Sequence, residues 1–226
     1  MSIKRNALLK YSSIGYRAIN KFRYFYKEYK DKEFNLLDVG CGNHSPSLTK
    51  FYFPKVNYYG IDKDLYNIDD EDLKNMKEFY KKDLEKDTLE DIPNNFFDVV
   101  IMSHIIEHLR NGLFVVEEIS KKVKVGGVLY IEYPSINSLK LPSMKETLHF
   151  CDDSTHKKVY CLIDIVNILL EKNFKIIKAG TRRNFYNIAL IPLRLIYYKL
   201  KGKNLVGGIF WDLLGFAEFI FAKKIK

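Results

Sequence analysis

Only three cysteines occur among 226 residues, Cys41, Cys151 and Cys161, and their spacing fits neither a disulfide framework nor a zinc ribbon. That usage suits a reducing compartment, so a cytoplasmic location is expected. No apolar run approaches the roughly 18 residues needed to span a bilayer. Residues 1–10 carry charge, a short apolar stretch and no small-residue cleavage site, so no signal peptide is expected. Internal repeats and low-complexity linkers are also missing, and the length suits one core. One domain over 1–226 is therefore expected.

The sequence is 47% hydrophobic and 29% charged, as in ordinary globular proteins. Its net charge of +9 is unevenly spread. Residues 1–33 hold nine Lys/Arg against three acids, and residues 173–226 hold eleven against two. The middle, 34–172, holds seventeen bases against twenty-three acids. Basic ends on a mildly acidic body suit an anionic partner: a phosphorylated substrate, membrane headgroups or RNA. A solvated lysine surface gives the same count.

Hydrophobic periodicity orders the elements. Residues 4–31 space Ala7, Leu8, Tyr11, Ile14, Ala18, Ile19, Phe22 and Phe25 as an amphipathic helix or two, with Gly15 as a break. Phe34 to Val39 predicts a buried strand stopping at Gly40. Ser45 is placed as an N-cap and Pro46 at the first helical position after it. Further strands are expected at Val56–Ile61, Glu78–Lys82, Phe97–Met102, Val128–Tyr133, Phe174–Ala179 and Ala217–Lys224. Helices are expected from Ile105, over 113–123, over 162–172 and over 186–200. Residues 135–158 look polar and irregular. Strands alternating with helices imply a mainly parallel sheet covered on both faces.

In such sheets ligands bind at the carboxyl ends of strands, where the strand order reverses. A Gly-x-Gly turn there lets backbone approach the ligand, but dinucleotide folds share it. Ser45 stands where the dinucleotide pattern wants its third glycine, which argues against a nicotinamide dehydrogenase. An acid, Asp38, also sits two residues before Gly40.

The stretch Leu37-Asp38-Val39-Gly40-Cys41-Gly42-Asn43 resembles the first motif of class I S-adenosylmethionine-dependent methyltransferases. Gly60-Ile61-Asp62 resembles their second, and Asp83-Leu84 their third. Phe97-Asp98-Val99-Val100, Ile106-Glu107-His108-Leu109 and Val125-Gly126-Gly127-Val128-Leu129 follow in family order. The resemblance covers about 34–180. It implies a Rossmann-like, doubly wound seven-stranded sheet, mostly parallel with one antiparallel strand and helices on both faces. Within one methyltransferase domain, 1–33 would form a helical cap, 34–180 the cofactor-binding core and 181–226 a last helix and strand.

The resemblance also implies S-adenosyl-L-methionine as cofactor. Gly40, Cys41, Gly42 and Asn43 would pass beside its methionine part. Asp38 would order the loop and meet the amino end. Asp62, with Lys63 next to it, would accept both ribose hydroxyls. Asp83 would take the adenine amine with Leu84 packing nearby, and Ser103 or His104 would line the methionine end. Cys41 is expected to be a small filler.

Methyl transfer from a sulfonium is an in-line displacement, so a hydroxyl acceptor wants a general base or a Lewis-acid metal. His104, Glu107 and His108 at i, i+3 and i+4 would share one face of a helix and form half a divalent-metal site. This cluster resembles the acid-x-x-Glu-His of metal-dependent small-RNA 2′-O-methyltransferases and ubiquinone-biosynthesis O-methyltransferases. Here His104 replaces the acid, and His156 would be the later ligand. In family members without a metal the same Glu-His is structural. The general base would then be His104, His156 or His149. His44 is expected to have no chemical role.

The acceptor side is expected to involve 1–33, 135–158 and 184–212, through Tyr11, Tyr16, Arg17, Phe25, Tyr26, Arg182, Arg183, Tyr186, Arg194 and Tyr197. Arg182-Arg183 would suit a phosphate clamp. The expected acceptor is a small or carrier-linked metabolite, phosphorylated or glycosylated, such as a bacterial surface-sugar precursor methylated on oxygen. RNA 2′-O-methylation is a second reading, disfavoured by the lack of an RNA-binding module. A methyltransferase-like binding protein without chemistry is a third. The apolar stretch 188–200 and the aromatic stretch 207–221 also allow peripheral contact with a membrane.

Overall fold

Continuous apolar strands need cover on both faces, and the chain supplies it. In the computed structural model, which describes residues 15–226, one sheet contains β1 (Phe34–Val39), β2 (Val56–Asp62), β3 (Glu78–Lys81), β4 (Phe97–Ser103), β5 (Val123–Pro134), β6 (Phe174–Thr181) and β7 (Ala217–Lys224). Their spatial order is β3-β2-β1-β4-β5-β7-β6. The first five pair in parallel, and β7 runs antiparallel between β5 and β6. The order reverses between β1 and β4, which makes their carboxyl ends the switch point. The sheet is Rossmann-like.

Alternation along each strand sorts side chains into two cores. Leu37, Val39, Val100, Met102, Leu129 and Ile131 pack on one face with Val115, Val116, Ile119, Ile165 and Leu169. Those last five come from α4 (Gly112–Lys122) and α5 (Leu162–Glu171). On the other face Leu36, Tyr58, Val99, Ile101 and Tyr130 meet Phe22, Phe25, Tyr29, Tyr52 and Phe53. These belong to the segment around α1 (Tyr26–Tyr29) and to the end of α2 (Ser45–Tyr52).

Several expectations shift. Of the amphipathic pattern over 4–31, the described residues from Gly15 on make linked 3-10 and α turns and one short α-helix, α1; Ala7, Leu8, Tyr11 and Ile14 lie outside the described residues. Phe22 and Phe25 pack edge to face, their rings 6.1 Å apart, so aromatic packing holds this segment in place of a long helix. Ser45 is the first residue of α2, with left-handed His44 (φ 57°) as its cap residue. The chain after β4 makes only a single 3-10 turn, Ile106–His108, before α4. The 186–200 helix is two, α6 (Phe185–Ala189) and α7 (Ile191–Leu200), with Pro192 near the start of the second.

An unanticipated helix, α3 (Asp70–Asn75), follows β2. Asp69 caps it by accepting the N–H of Glu71 and of Asp72, each at 3.0 Å, and Asp72 accepts the N–H of Asp69 in return. The last short helix, α8 (Trp211–Leu214), ends at left-handed Gly215 just before β7.

Candidate active site

Three acids stand at or near the carboxyl ends of the adjacent strands β1, β2 and β3. Asp38 is buried, and its Oδ2 accepts from Lys21 Nζ at 3.1 Å and from Tyr58 Oη at 2.8 Å. The Ser45 hydroxyl donates to the same oxygen. Asp38 thus ties β1, β2, α2 and the N-terminal segment together directly beneath the glycine turn. Gly40 takes φ +79°, and a Cβ there would sit 1.9 Å from the Ile105 side chain. Only glycine fits. Its N–H and that of Cys41 both reach the Ile61 carbonyl, at 2.8 and 3.3 Å. A Cβ on Gly42 would come 2.8 Å from the Tyr66 carbonyl oxygen, and the Asn43 N–H donates to that oxygen at 3.0 Å. Asn43 itself is left-handed (φ 57°).

Cys41 is buried against Gly60, where burial, with Asp38 behind it, pushes its thiol far above the usual range. It packs and stays protonated. Asp62 ends β2 half-buried; burial raises its pKa while the N–H groups of Asp64, Lys63 and Gly42 oppose the rise. The Lys63 N–H donates to it at 2.8 Å, which gives Lys63 a backbone role. Asp83 follows β3, its carboxyl held low by the N–H of Glu85 and then by Lys86, 3.1 Å away. Leu84 packs on the first core, and Ser103 closes β4. Parallel pairing brings all these strand ends to one edge of the sheet.

His104 follows with φ +56°. Its Nδ1 lies 3.1 Å from Glu107 Oε1 and its Nε2 lies 2.9 Å from Glu132 Oε1. Burial opposes a charge here, but the hydrogen bonds to Glu107 and Glu132 outweigh it and lift the ring to about 9. With a carboxylate at each nitrogen the ring carries both protons. It has no lone pair for a metal or for a substrate proton, and both roles expected of His104 are corrected on that ground.

Glu132 was not anticipated. Burial works to protonate it, and Arg182, then His104, hold its carboxyl well below the usual range. The Arg182 guanidinium is buried, with Nη1 2.7 Å from Glu132 Oε1 and Nε 2.9 Å from Asp212 Oδ1. Arg183 donates to the carbonyls of Asp212 and Leu213. Neither arginine is a free phosphate clamp. Phe25 sits in the core and Tyr16 stacks on Tyr26 at 3.9 Å, so these rings build structure instead of contacting an acceptor. Glu132 could have been read from the sequence as the one acid inside the apolar strand Val128–Tyr133.

His149 is also corrected. Its Nδ1 accepts the Cys151 N–H at 3.0 Å and its Nε2 donates to the Leu139 carbonyl at 3.1 Å, so it caps a turn. Next to it, Asp152 Oδ2 accepts the N–H groups of Met144, Leu148 and His149 at 2.8–3.0 Å. Burial opposes this charge, but the Ser143 hydroxyl and those N–H groups hold Asp152 far below the usual carboxylate range. A depressed folded-state pKa contributes stability above the unfolded value of about 3.9 and loses it as pH falls further. Asp152→Asn is therefore expected to lower the melting temperature at neutral pH and to narrow its gap to wild type in acid. A gap that stays constant with pH would show that the ionised Asp152 carboxylate does not hold this loop.

His108 and His156 come together from the turn after β4 and from the 150–158 loop, their rings 4.9 Å apart. His156 Nδ1 donates to the Phe150 carbonyl at 2.7 Å, which leaves the lone pair on Nε2, 3.8 Å from Asp153 Oδ2. His108 Nδ1 pairs with Thr155 Oγ1 at 2.9 Å, and that hydroxyl donates to Asp153. Glu107 is 1% exposed, and its Oε2 is buried with no partner. One donor atom from each of Glu107, His108 and His156 lies within 4.8 Å of the others. A second group, His44 with Asp69 and Asp72, is already committed. His44 Nδ1 lies 2.6 Å from Asp72 Oδ2, and both acids cap α3.

This geometry defines a doubly wound α/β protein with a nucleotide-type edge: a forced glycine turn and acids at successive strand ends. A family described as methyltransferase domain matches residues 11–179. The chain belongs to that family, and it is an S-adenosylmethionine-dependent methyltransferase. No curated protein matches. Among solved structures, an S-adenosylmethionine-dependent methyltransferase from Archaeoglobus fulgidus is 23% identical, with TM-score 0.54 over 92% of this chain and 94% of that one. One from Mesorhizobium loti is 11% identical, with TM-score 0.58 over 86% and 93%. Phosphoethanolamine N-methyltransferase 2 of Haemonchus contortus, in complex with S-adenosyl-L-methionine, is 14% identical, with TM-score 0.62 over 98% of this chain and 59% of its own. At these identities the likeness is one of fold.

Proposed function

We propose that the chain methylates a hydroxyl oxygen of a small or carrier-linked metabolite, of the kind of a bacterial surface-sugar precursor, with a divalent ion held by Glu107, His108 and His156. The observation that supports this is the convergence of one donor atom from each of the three residues, together with a Glu107 Oε2 that is buried and has no hydrogen-bond partner. A buried carboxylate oxygen without a hydrogen bond costs about 1–3 kcal/mol or more, and a cation would satisfy it. Each imidazole is steadied through its Nδ1, by the Phe150 carbonyl and by Thr155, as metal-ligating histidines usually are.

Two imidazoles and one carboxylate favour zinc, manganese or iron-like ions over magnesium. Such an ion would act as a Lewis acid on the acceptor hydroxyl and ease its deprotonation. The chain's own groups do the rest. Glu107 keeps one oxygen on His104, which fixes the carboxylate's orientation. Without an ion, His156 would be the group best placed to accept a proton, since its Nδ1 is committed as a donor and its Nε2 keeps the lone pair. Oxygen acceptors need this help because their pKa is high.

Elemental analysis of protein purified without a metal-affinity tag tests the ligand set. Wild type is expected to carry close to one ion per chain and His108→Ala less than about a tenth of that, as loss of one of three ligands weakens affinity by at least 10–100-fold. Equal metal in the two proteins, or none in either, would refute it.

A further inference from the structure

Helix α7 is amphipathic in the wrong sense for a helix facing water. Ile191, Arg194, Leu195 and Tyr198, at i, i+3, i+4 and i+7, turn toward the body of the protein. Leu193, Ile196, Tyr197 and Leu200 repeat the same spacing on the opposite side, where they are exposed by 63%, 56%, 40% and 80%. A surface helix normally puts polar residues there. Phe185 on α6, 75% exposed, lies on the neighbouring helix. A contiguous apolar stripe of this kind marks a binding surface.

Charge says what kind. From Lys172 to Trp211 the chain has nine Lys/Arg and no acid. Lys199, Lys201 and Lys203 stand at the end of α7 beside Leu200, with two of them in the turn that follows it. A cleft of about 1000 Å³ opens alongside, sharing Leu193 and Tyr197 with the stripe and carrying Arg194, Lys145 and Lys203 against one acid, Glu146. No helix among the described residues is long and apolar enough to cross a membrane. Apolar side chains that reach outward, framed by lysines and free of acids, match the requirements of an interfacial helix lying in an anionic headgroup layer.

We propose that the α7 face docks on the surface of an anionic lipid bilayer, with Ile196 and Leu200 entering the headgroup boundary and Lys199 and Lys201 on the phosphates. This inference is independent of the acceptor and of the metal. It gives the basic C-terminal third a partner and puts the mouth of the adjoining cleft at the lipid surface.

Cosedimentation of the full chain with vesicles tests it. Wild type is expected to pellet with vesicles of phosphatidylcholine and phosphatidylglycerol, to pellet far less with phosphatidylcholine alone, and to be released by salt. Lys199→Gln with Lys201→Gln should weaken binding to the anionic vesicles about fivefold per lysine. Ile196→Ser with Leu200→Ser should weaken it at least as much. These side chains are exposed, so both variants should keep the wild-type melting temperature and cofactor affinity. No pelleting by wild type would overturn the proposal, as would equal pelleting by the variants. A concentration-dependent dimer that Ile196→Ser with Leu200→Ser abolishes, without vesicle binding, would assign the face to a second copy instead.

Discussion

Arg182→Met is expected to destabilise the protein by about 3–5 kcal/mol, which lowers its melting temperature by roughly 10 °C or more. The size follows from what the substitution strands. Glu132 and Asp212 are both buried, and Arg182 is the cation between them. Asp212 also accepts the Asn184 N–H at 3.1 Å and an Asn187 amide N–H at 2.9 Å, so it cannot turn to solvent without breaking α6 from α8. Methionine fills much of the arginine's volume, so the loss reports charge and hydrogen bonding more than a cavity. Arg182→Lys should fall between, since one ammonium cannot reproduce two directed contacts. A melting temperature within a degree or so of wild type for Arg182→Met would show that the network does not hold the C-terminal third in place.

Asp62→Ala is expected to weaken S-adenosylmethionine binding by at least about a hundredfold, with little change in folding. A hydrogen bond to a charged group contributes about 1.5–3 kcal/mol, and the role proposed for Asp62 involves two of them. The residue suits that role by position. It ends β2 one strand from Gly40, is half-buried, and is kept in place by neighbouring N–H groups instead of by a cation. Asp83 differs. It is part-buried and already paired with Lys86 at 3.1 Å, so its removal should matter less.

The sheet was largely legible in the sequence because β1, β2 and β5 are apolar runs that end at a glycine, an acid and a proline, and β7 matched its expected bounds. Phe34 to Val39 and Phe97 to Met102 could scarcely be anything else. The glycine turn and the acids beside it were legible for a related reason: a turn forced by Gly40 and acids at strand ends are local features. What escaped were contacts between distant segments. His104, three residues before Glu107, looked like a ligand on a helix; instead a left-handed residue and a single 3-10 turn aim its ring between Glu107 and Glu132. The ring's second carboxylate partner, Glu132, lies 28 residues away. Arg182 looked like a surface clamp because nothing local reveals that Asp212 closes over it. Polar α3 escaped because its stability comes from the Asp69 cap and not from an apolar stripe.

The central claim is that the edge formed by Asp38, Gly40, Asp62 and Asp83 binds S-adenosylmethionine. Calorimetric titration tests it most directly, with S-adenosylmethionine and NAD each added to wild type and to Asp62→Ala. The account predicts one site per chain for S-adenosylmethionine in wild type, at least about hundredfold weaker binding in the variant, and no heat from NAD. The absence of heat with S-adenosylmethionine in wild type would contradict it.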